Sequence, residues 1–104
     1  MKIIDVRTIP LFGATHDTGW PGGTDPNEQM NTLIEVVADS GLIGIGSCFT
    51  NRVFVEASLT HLKPMLVGET AFEAERVSEK LRQLSFWYGR GGAIEHTISG
   101  IDIA

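Results

Sequence analysis

Val36-Val37-Ala38-Asp39-Ser40-Gly41-Leu42-Ile43-Gly44-Ile45-Gly46 is the stretch that decides how this chain folds. Apolar residues alternate up to Ala38, Asp39-Ser40-Gly41 reverses the chain, and alternation resumes at Leu42. Glycine at the third position of that reversal supplies the positive φ that a tight hairpin needs. Upstream, Thr32, Ile34, Val36 and Ala38 alternate against Asn31, Glu35 and Asp39, which predicts a strand over about 30–39; its return partner covers about 42–48. Gly44 and Gly46 fall on one face of the return strand, so another part of the chain must pack closely on its backbone there. Further back, residues 2–11 form a third alternating segment, with Ile4, Val6 and Thr8 on one face, Asp5 and Arg7 on the other, and Pro10 near its end. The first half therefore predicts a three-stranded antiparallel meander. Residues 13–29, between its first two strands, form a long polar stretch punctuated by Gly and Pro, holding His16, Asp17, Trp20 and Asp25. Loops of that length are uncommon in small domains and are often functional.

The second half reads as helical. Asn51 caps a helix over about 52–63, with Val55, Leu59 and Leu62 on one face and Pro64 as its stop. After Gly68, Thr70-Ala71-Phe72-Glu73 has the form of a capping box for a helix over about 71–84, whose Ala74, Val77, Leu81 and Leu84 make one apolar stripe. A loop with Phe86, Trp87, Tyr88 and Arg90 leads to a last helix over about 93–104, where Ile94, Thr97, Ile98 and Ile101 share a face. That helix lacks the glycine or basic residue that usually closes one, and it reads as cut short. The fold class is α+β: the meander, then a segment of about three helices, in one domain spanning 1–104.

Composition narrows the function. The 104 residues are 42% hydrophobic and 20% charged, with a net charge of −5 and no basic stripe, so nucleic-acid binding has no electrostatic support. No apolar stretch approaches the roughly 18 residues of a membrane span, and the N-terminus does not resemble a secretory signal. The single Cys48 suggests a reducing compartment, so the expected localisation is cytoplasmic.

Individual motifs carry little chemistry. His16, Asp17 and Asp25 match no metal-ligand spacing and read as a solvated loop, so no metal is assigned to this chain. Gly41-Leu42-Ile43-Gly44-Ile45-Gly46 superficially resembles a dinucleotide fingerprint, but it lies within a strand and not at a strand-to-helix junction. Cys48 reads as a small buried hydrophobe and not as a nucleophile based on His61. His96 reads as a partner-facing or capping residue, and Phe86–Tyr88 as core and hinge packing. Trp20, a large aromatic in a polar loop, needs something to pack on: a substrate or a partner. No catalytic residue is assigned.

The order of parts is more telling. The hairpin with its Asp-x-Gly-x-x-Gly-x-Gly pattern from Asp39 to Gly46, and the closing Ser99-Gly100-Ile101-Asp102-Ile103-Ala104, resemble the N-terminal capping domain of the enolase superfamily, in its mandelate racemase/muconate lactonizing enzyme branch. The resemblance covers essentially the whole chain. It implies a C-terminal (β/α) barrel in the same polypeptide, absent from this chain, whose carboxylates hold Mg²⁺ and whose bases remove a proton next to a substrate carboxylate. It implies that the capping domain closes over the substrate end away from the metal through two loops, residues 13–29 and about 47–53. By position, His16 and Trp20 then contact substrate from the first loop and Thr50 and Arg52 from the second, with Arg52 as mate for a distal carboxylate or hydroxyl of an acid sugar. Many relatives have glutamate where this chain has Ser47, which leaves the subgroup open. The polar first loop favours a sugar-acid dehydratase as parent enzyme, with a racemase or epimerase second. A small carboxylate substrate and homo-oligomeric assembly are expected.

The alternative is a stand-alone binding or oligomerisation module. The capping-domain reading expects an inactive isolated chain with an exposed apolar face along Ile94 to Ile101. The module reading expects that same face to be buried against a second copy.

Overall fold

In the computed structural model, the structure describes residues 1–12, 29–89 and 91–104. Three strands, β1 (Ile3–Leu11), β2 (Asn31–Ala38) and β3 (Ile43–Cys48), form an antiparallel sheet in the order β1-β2-β3. Helices α1 (Arg52–Leu66), α2 (Ala74–Ser85) and α3 (Gly92–Ile103) follow, with a single 3₁₀ turn, Phe86–Tyr88, before the last. The α+β meander-then-helices order is the one the sequence implies. The hairpin closes through Gly41, at φ 87°, whose N–H donates to the Ala38 carbonyl, while the Ala38 N–H donates to the Leu42 carbonyl. Among the described residues no helix is long and apolar enough to cross a membrane.

The helices cover one face of the sheet, with α3 against β3, α1 against β1, and α2 packed on both helices. Ile34, Val55, Leu62, Leu66, Leu81 and Ile98 are completely buried between these layers. The two glycines of β3 have the role their pattern implies. A Cβ on Gly44 would lie 1.8 Å from the Ala104 carbonyl oxygen, and one on Gly46 would lie 2.0 Å from that of Gly100. Backbone thus rests on backbone where α3 crosses β3. Gly100 returns the relation, since its own Cβ would stand 2.7 Å from Cδ1 of Ile34.

Tertiary contacts overrule several local signals. In β1 it is Ile3, and not Ile4, that is buried with Val6; Ile4 is 53% exposed. The register shifts between Ile3 and Asp5, and such a bulge moves one side chain to the other face. The bulge accompanies a second partnership: the Ile3 N–H donates to the Glu69 carbonyl, the Gly68 N–H to Ile3, and the Ala71 N–H to Met1. Lys2 and Thr70 form a bridge of the same kind. This pairing draws Thr70 out of α2, so the expected capping box is not made. The helix starts at Ala74, Glu73 has no side-chain cap, and the Glu73 carboxylate instead accepts from Arg76 at 2.7 Å.

Pro64 lies inside α1, which continues to Leu66. Proline removes one backbone donor, but it is at the surface and the burial of Leu62 and Leu66 holds the last turn. On α2 the buried stripe is Val77, Ser78, Leu81 and Ser85, while Ala74 and Leu84 are exposed. The serines suit the face against α3: Ser78 Oγ donates to Asp102 at 2.6 Å, and Ser85 Oγ to the Leu81 carbonyl.

The Ile94 to Ile101 face is neither exposed nor available to a second copy. Thr97, Ile98 and Ile101 are buried in the domain's own core and Ile94 packs on its margin. Phe86, Trp87 and Tyr88 are not core either, being 43%, 81% and 57% exposed; Tyr88 makes an edge contact with His61 at 4.0 Å between ring centres.

The connection between α1 and α2 is fixed by charge. Glu69 accepts from Lys80 and Arg76 at 2.5 and 2.6 Å, and Lys80 also donates to the Met65 carbonyl at 3.0 Å. The hydrogen bonds from Lys80 and then Arg76 hold the Glu69 carboxyl below its ordinary value of 4.5. A carboxylate with a lowered folded-state pKa favours folding fully above its unfolded value and loses that contribution as pH falls through the folded value. Thermal unfolding at decreasing pH is therefore expected to show stability falling below pH 4.5, with a shallower fall in Glu69→Gln. Equal slopes for both proteins would show that the Glu69 cluster makes no difference.

Candidate functional site

At one end of the sheet β2 begins and β3 runs into α1, and the N-terminus of α3 lies beside them. Asn51 starts α1 with extended backbone angles, φ −61° and ψ 141°, and its Oδ1 accepts the Val53 N–H at 2.8 Å. An Asn at this position satisfies one of the amides that a helix start leaves unpaired. Its Nδ2 donates in turn to the Gln29 carbonyl at 2.8 Å. Gln29 precedes β2 and is only 8% exposed. Its Oε1 accepts the Arg52 N–H at 2.7 Å, and its Nε2 donates to the Asn31 carbonyl and, at 3.2 Å, to Thr32 Oγ1. The Thr32 hydroxyl donates to the Thr50 carbonyl at 2.7 Å.

Thr50 points inward. It is 8% exposed, with its hydroxyl 2.8 Å from the Phe49 carbonyl and 2.6 Å from Nδ1 of His96 on α3. With the one hydroxyl proton given to the carbonyl, Nδ1 is the donor of the second bond. Arg52 points the other way, its side chain 54% exposed and its Nε 3.8 Å from Glu56. An exposed pair of that length holds the guanidinium only weakly. On the Thr50 side opens a cleft of about 320 Å³ lined by Met30, Phe49, Phe54 and Ala93, with Thr50, Asn51 and His96 as its polar residues. A larger surface cleft of about 650 Å³ lies between α2 and α3, where Arg82 pairs with Glu95 at 2.8 Å and Glu79 accepts from Gln83 at 3.1 Å.

Of the four sequence candidates, the structure thus places Thr50 and Arg52 side by side on the β3–α1 connection, facing opposite ways. His16 and Trp20 lie outside the described residues. Two residues that the sequence reading did not assign to the site, Gln29 and His96, hold the connection from either side. Their separation in sequence from Thr50 and Arg52 leaves no local signal; only the proximity of Gln29 to the start of β2 hinted at it. Cys48 is buried and bonds weakly to the Thr32 carbonyl, and burial pushes its thiol pKa up, the opposite of what a nucleophile needs. Among the described residues, no three His, Cys, Asp or Glu side chains come together as a metal site.

The profile of the mandelate racemase / muconate lactonizing enzyme N-terminal domain matches residues 23–104, from within the first loop through α3. This chain belongs to that family. An L-rhamnonate dehydratase of Saccharopolyspora erythraea is 25% identical over 72 residues, which make up 69% of this chain and 18% of that enzyme. A member of the enolase superfamily from Polaromonas sp. JS666 superimposes with a TM-score of 0.79 at 24% identity, covering 98% of this chain and 28% of that one. The 3,6-anhydro-D-galactonate cycloisomerase of Zobellia galactanivorans gives 0.77 at 21% identity, over all of this chain and 27% of its own. The chain therefore spans about a fifth to a quarter of these relatives, as the N-terminal domain of the mandelate racemase / muconate lactonizing enzyme family.

Proposed function

We propose that this domain is the substrate-specificity lid of a cytoplasmic, Mg²⁺-dependent enzyme that removes a proton next to a substrate carboxylate, with sugar-acid dehydration as the leading reaction and racemisation or epimerisation second. The observation that carries the proposal is the family match combined with the site's geometry. The end of the first loop and the whole of the second meet at one end of the sheet, beside an open cleft, and Arg52 next to them stands exposed with a long contact to Glu56. A dehydratase among the relatives supports the leading reaction. The described residues do not fit a metal, so Mg²⁺ and the proton-transfer bases are assigned to a barrel following this domain in the same polypeptide. What this chain supplies is enclosure and selection. Arg52 pairs with a distal carboxylate or hydroxyl, and His16 and Trp20 add contacts from the first loop. Thr50, pinned by His96, sets the shape of the second. Such contacts far from the reacting carbon discriminate among substrates.

In dehydration, loss of the C2 proton and departure of the 3-hydroxyl as water leave an enol that becomes a 2-keto-3-deoxy acid. The test is a panel of aldonic and aldaric acids offered to the barrel-bearing polypeptide with Mg²⁺, scored for that product. Residues 1–104 alone are expected to give none. Keto-acid formation from sugar acids supports the reading; C2 epimers in place of keto acids would put racemisation or epimerisation first, and no turnover of any acid in the panel would contradict the sugar-acid reading.

A further inference from the structure

We propose that Gln29 is a positioning residue: it fixes the β3–α1 connection so that Arg52 faces the substrate, an inference that rests on the substrate-contact role given to Arg52 above. Each polar atom of Gln29 beyond its own amide is committed to this task or to the strand beside it. Oε1 takes the Arg52 N–H, the main-chain carbonyl takes Asn51 Nδ2, and Nε2 reaches Thr32, whose hydroxyl holds the Thr50 carbonyl. Residues 50, 51 and 52 are thus held in turn by the Thr32 hydroxyl, the Gln29 main chain and the Gln29 side chain. The Arg52 N–H belongs to the first turn of α1, where no intrahelical carbonyl is available. Asn51 Oδ1 serves Val53, which leaves Arg52 to the amide oxygen of Gln29. The guanidinium has only a long, exposed contact with Glu56, so what the protein fixes is the backbone at Arg52, which sets where the side chain leaves the chain. A buried amide that meets all its partners is a rigid support, and losing one partner frees the others to water.

Gln29→Leu and Gln29→Glu separate support from mere stability, since glutamate keeps an acceptor for Arg52 and loses the two donations from Nε2. Amide exchange in the 104-residue chain should show the Arg52 N–H exchanging at least tenfold faster in Gln29→Leu and much less changed in Gln29→Glu. In the barrel-bearing polypeptide, Gln29→Leu should raise KM for the sugar acid about tenfold with kcat within twofold, the pattern of lost substrate binding. Gln29→Glu should raise it less, and Gln29→Leu added to Arg52→Ala should change KM no further. An unchanged Arg52 exchange rate in Gln29→Leu, or KM effects that multiply in full with those of Arg52→Ala, overturns the proposal. Arg52→Ala raising KM while Gln29→Leu does not overturns the role of Gln29 alone. Arg52→Ala leaving KM unchanged overturns the substrate contact on which it rests.

Discussion

Gly46→Ala is expected to destabilise the domain by about 3 kcal/mol, the upper end for overpacking a core. In most strands the same change is mildly favourable, because alanine loses less backbone entropy than glycine on folding. Here the sign reverses, since the new Cβ would stand 2.0 Å from the Gly100 carbonyl oxygen and 3.0 Å from the Ala104 nitrogen. Both are backbone atoms of α3 or its end, so no side-chain rotation relieves the overlap. The helix must move off β3, and it carries Ile98 and Ile101 from the core with it. In a domain of this size each kcal/mol shifts the melting temperature by roughly 4–8 °C, so a fall well above 10 °C is expected. Gly41→Ala is the comparison: it faces open space and suffers only from its positive φ, at a cost of about 1 kcal/mol. Equal melting temperatures for the two variants would contradict the packing described.

Arg52→Ala carries the second large effect, and it falls on function. Its side chain takes no part in the core, and its contact with Glu56 is long and exposed, so stability should change by less than about 0.5 kcal/mol. A charge-assisted hydrogen bond to substrate contributes about 1.5–3 kcal/mol, so KM for an acid sugar should rise by roughly 10- to 100-fold with kcat little altered. Arg52→Lys keeps the charge but not the planar fork, and should recover only part of the loss. Steady-state kinetics of the barrel-bearing polypeptide, with thermal unfolding of the same variants, checks both halves. A large loss of stability with unchanged KM would make Arg52 a structural residue.

The features legible in the sequence are those set by short-range rules. Alternation and Asp39-Ser40-Gly41 define the hairpin, and two glycines two residues apart on β3 announce a close neighbour without naming it. The misread features are those where distant segments intervene. Thr70 and Glu73 have the form of a capping box, but Thr70 pairs with Lys2 and the helix begins beyond them. Alternation places Ile4 in the core, yet a bulge exchanges it for Ile3 so that the strand can meet Gly68 and Glu69. Pro64 is a stop signal only where nothing holds the next turn, and Leu66 does. The apolar face of α3, expected to be exposed or covered by a second copy, is used up inside the domain.

The site divides in the same way. Family resemblance pointed to Thr50 and Arg52, and Asn51 was readable as a helix cap. What turns Thr50 inward and Arg52 outward is Gln29 from before β2 and His96 from α3, and neither lies near them in sequence. A hydrogen-bond set assembled from three separate elements has no local pattern to recognise.

The central claim is that this domain covers the substrate of a reaction that begins with removal of a proton next to a carboxylate. Exchange in D₂O tests it most directly: sugar acids are incubated with the barrel-bearing polypeptide and Mg²⁺, and deuterium at C2 of substrate or the corresponding label in product is followed by NMR. The account predicts loss of the C2 proton signal with at least one sugar acid, slowed at low substrate concentration by Arg52→Ala, and none with residues 1–104 alone. Turnover of those acids with the C2 proton retained would contradict it.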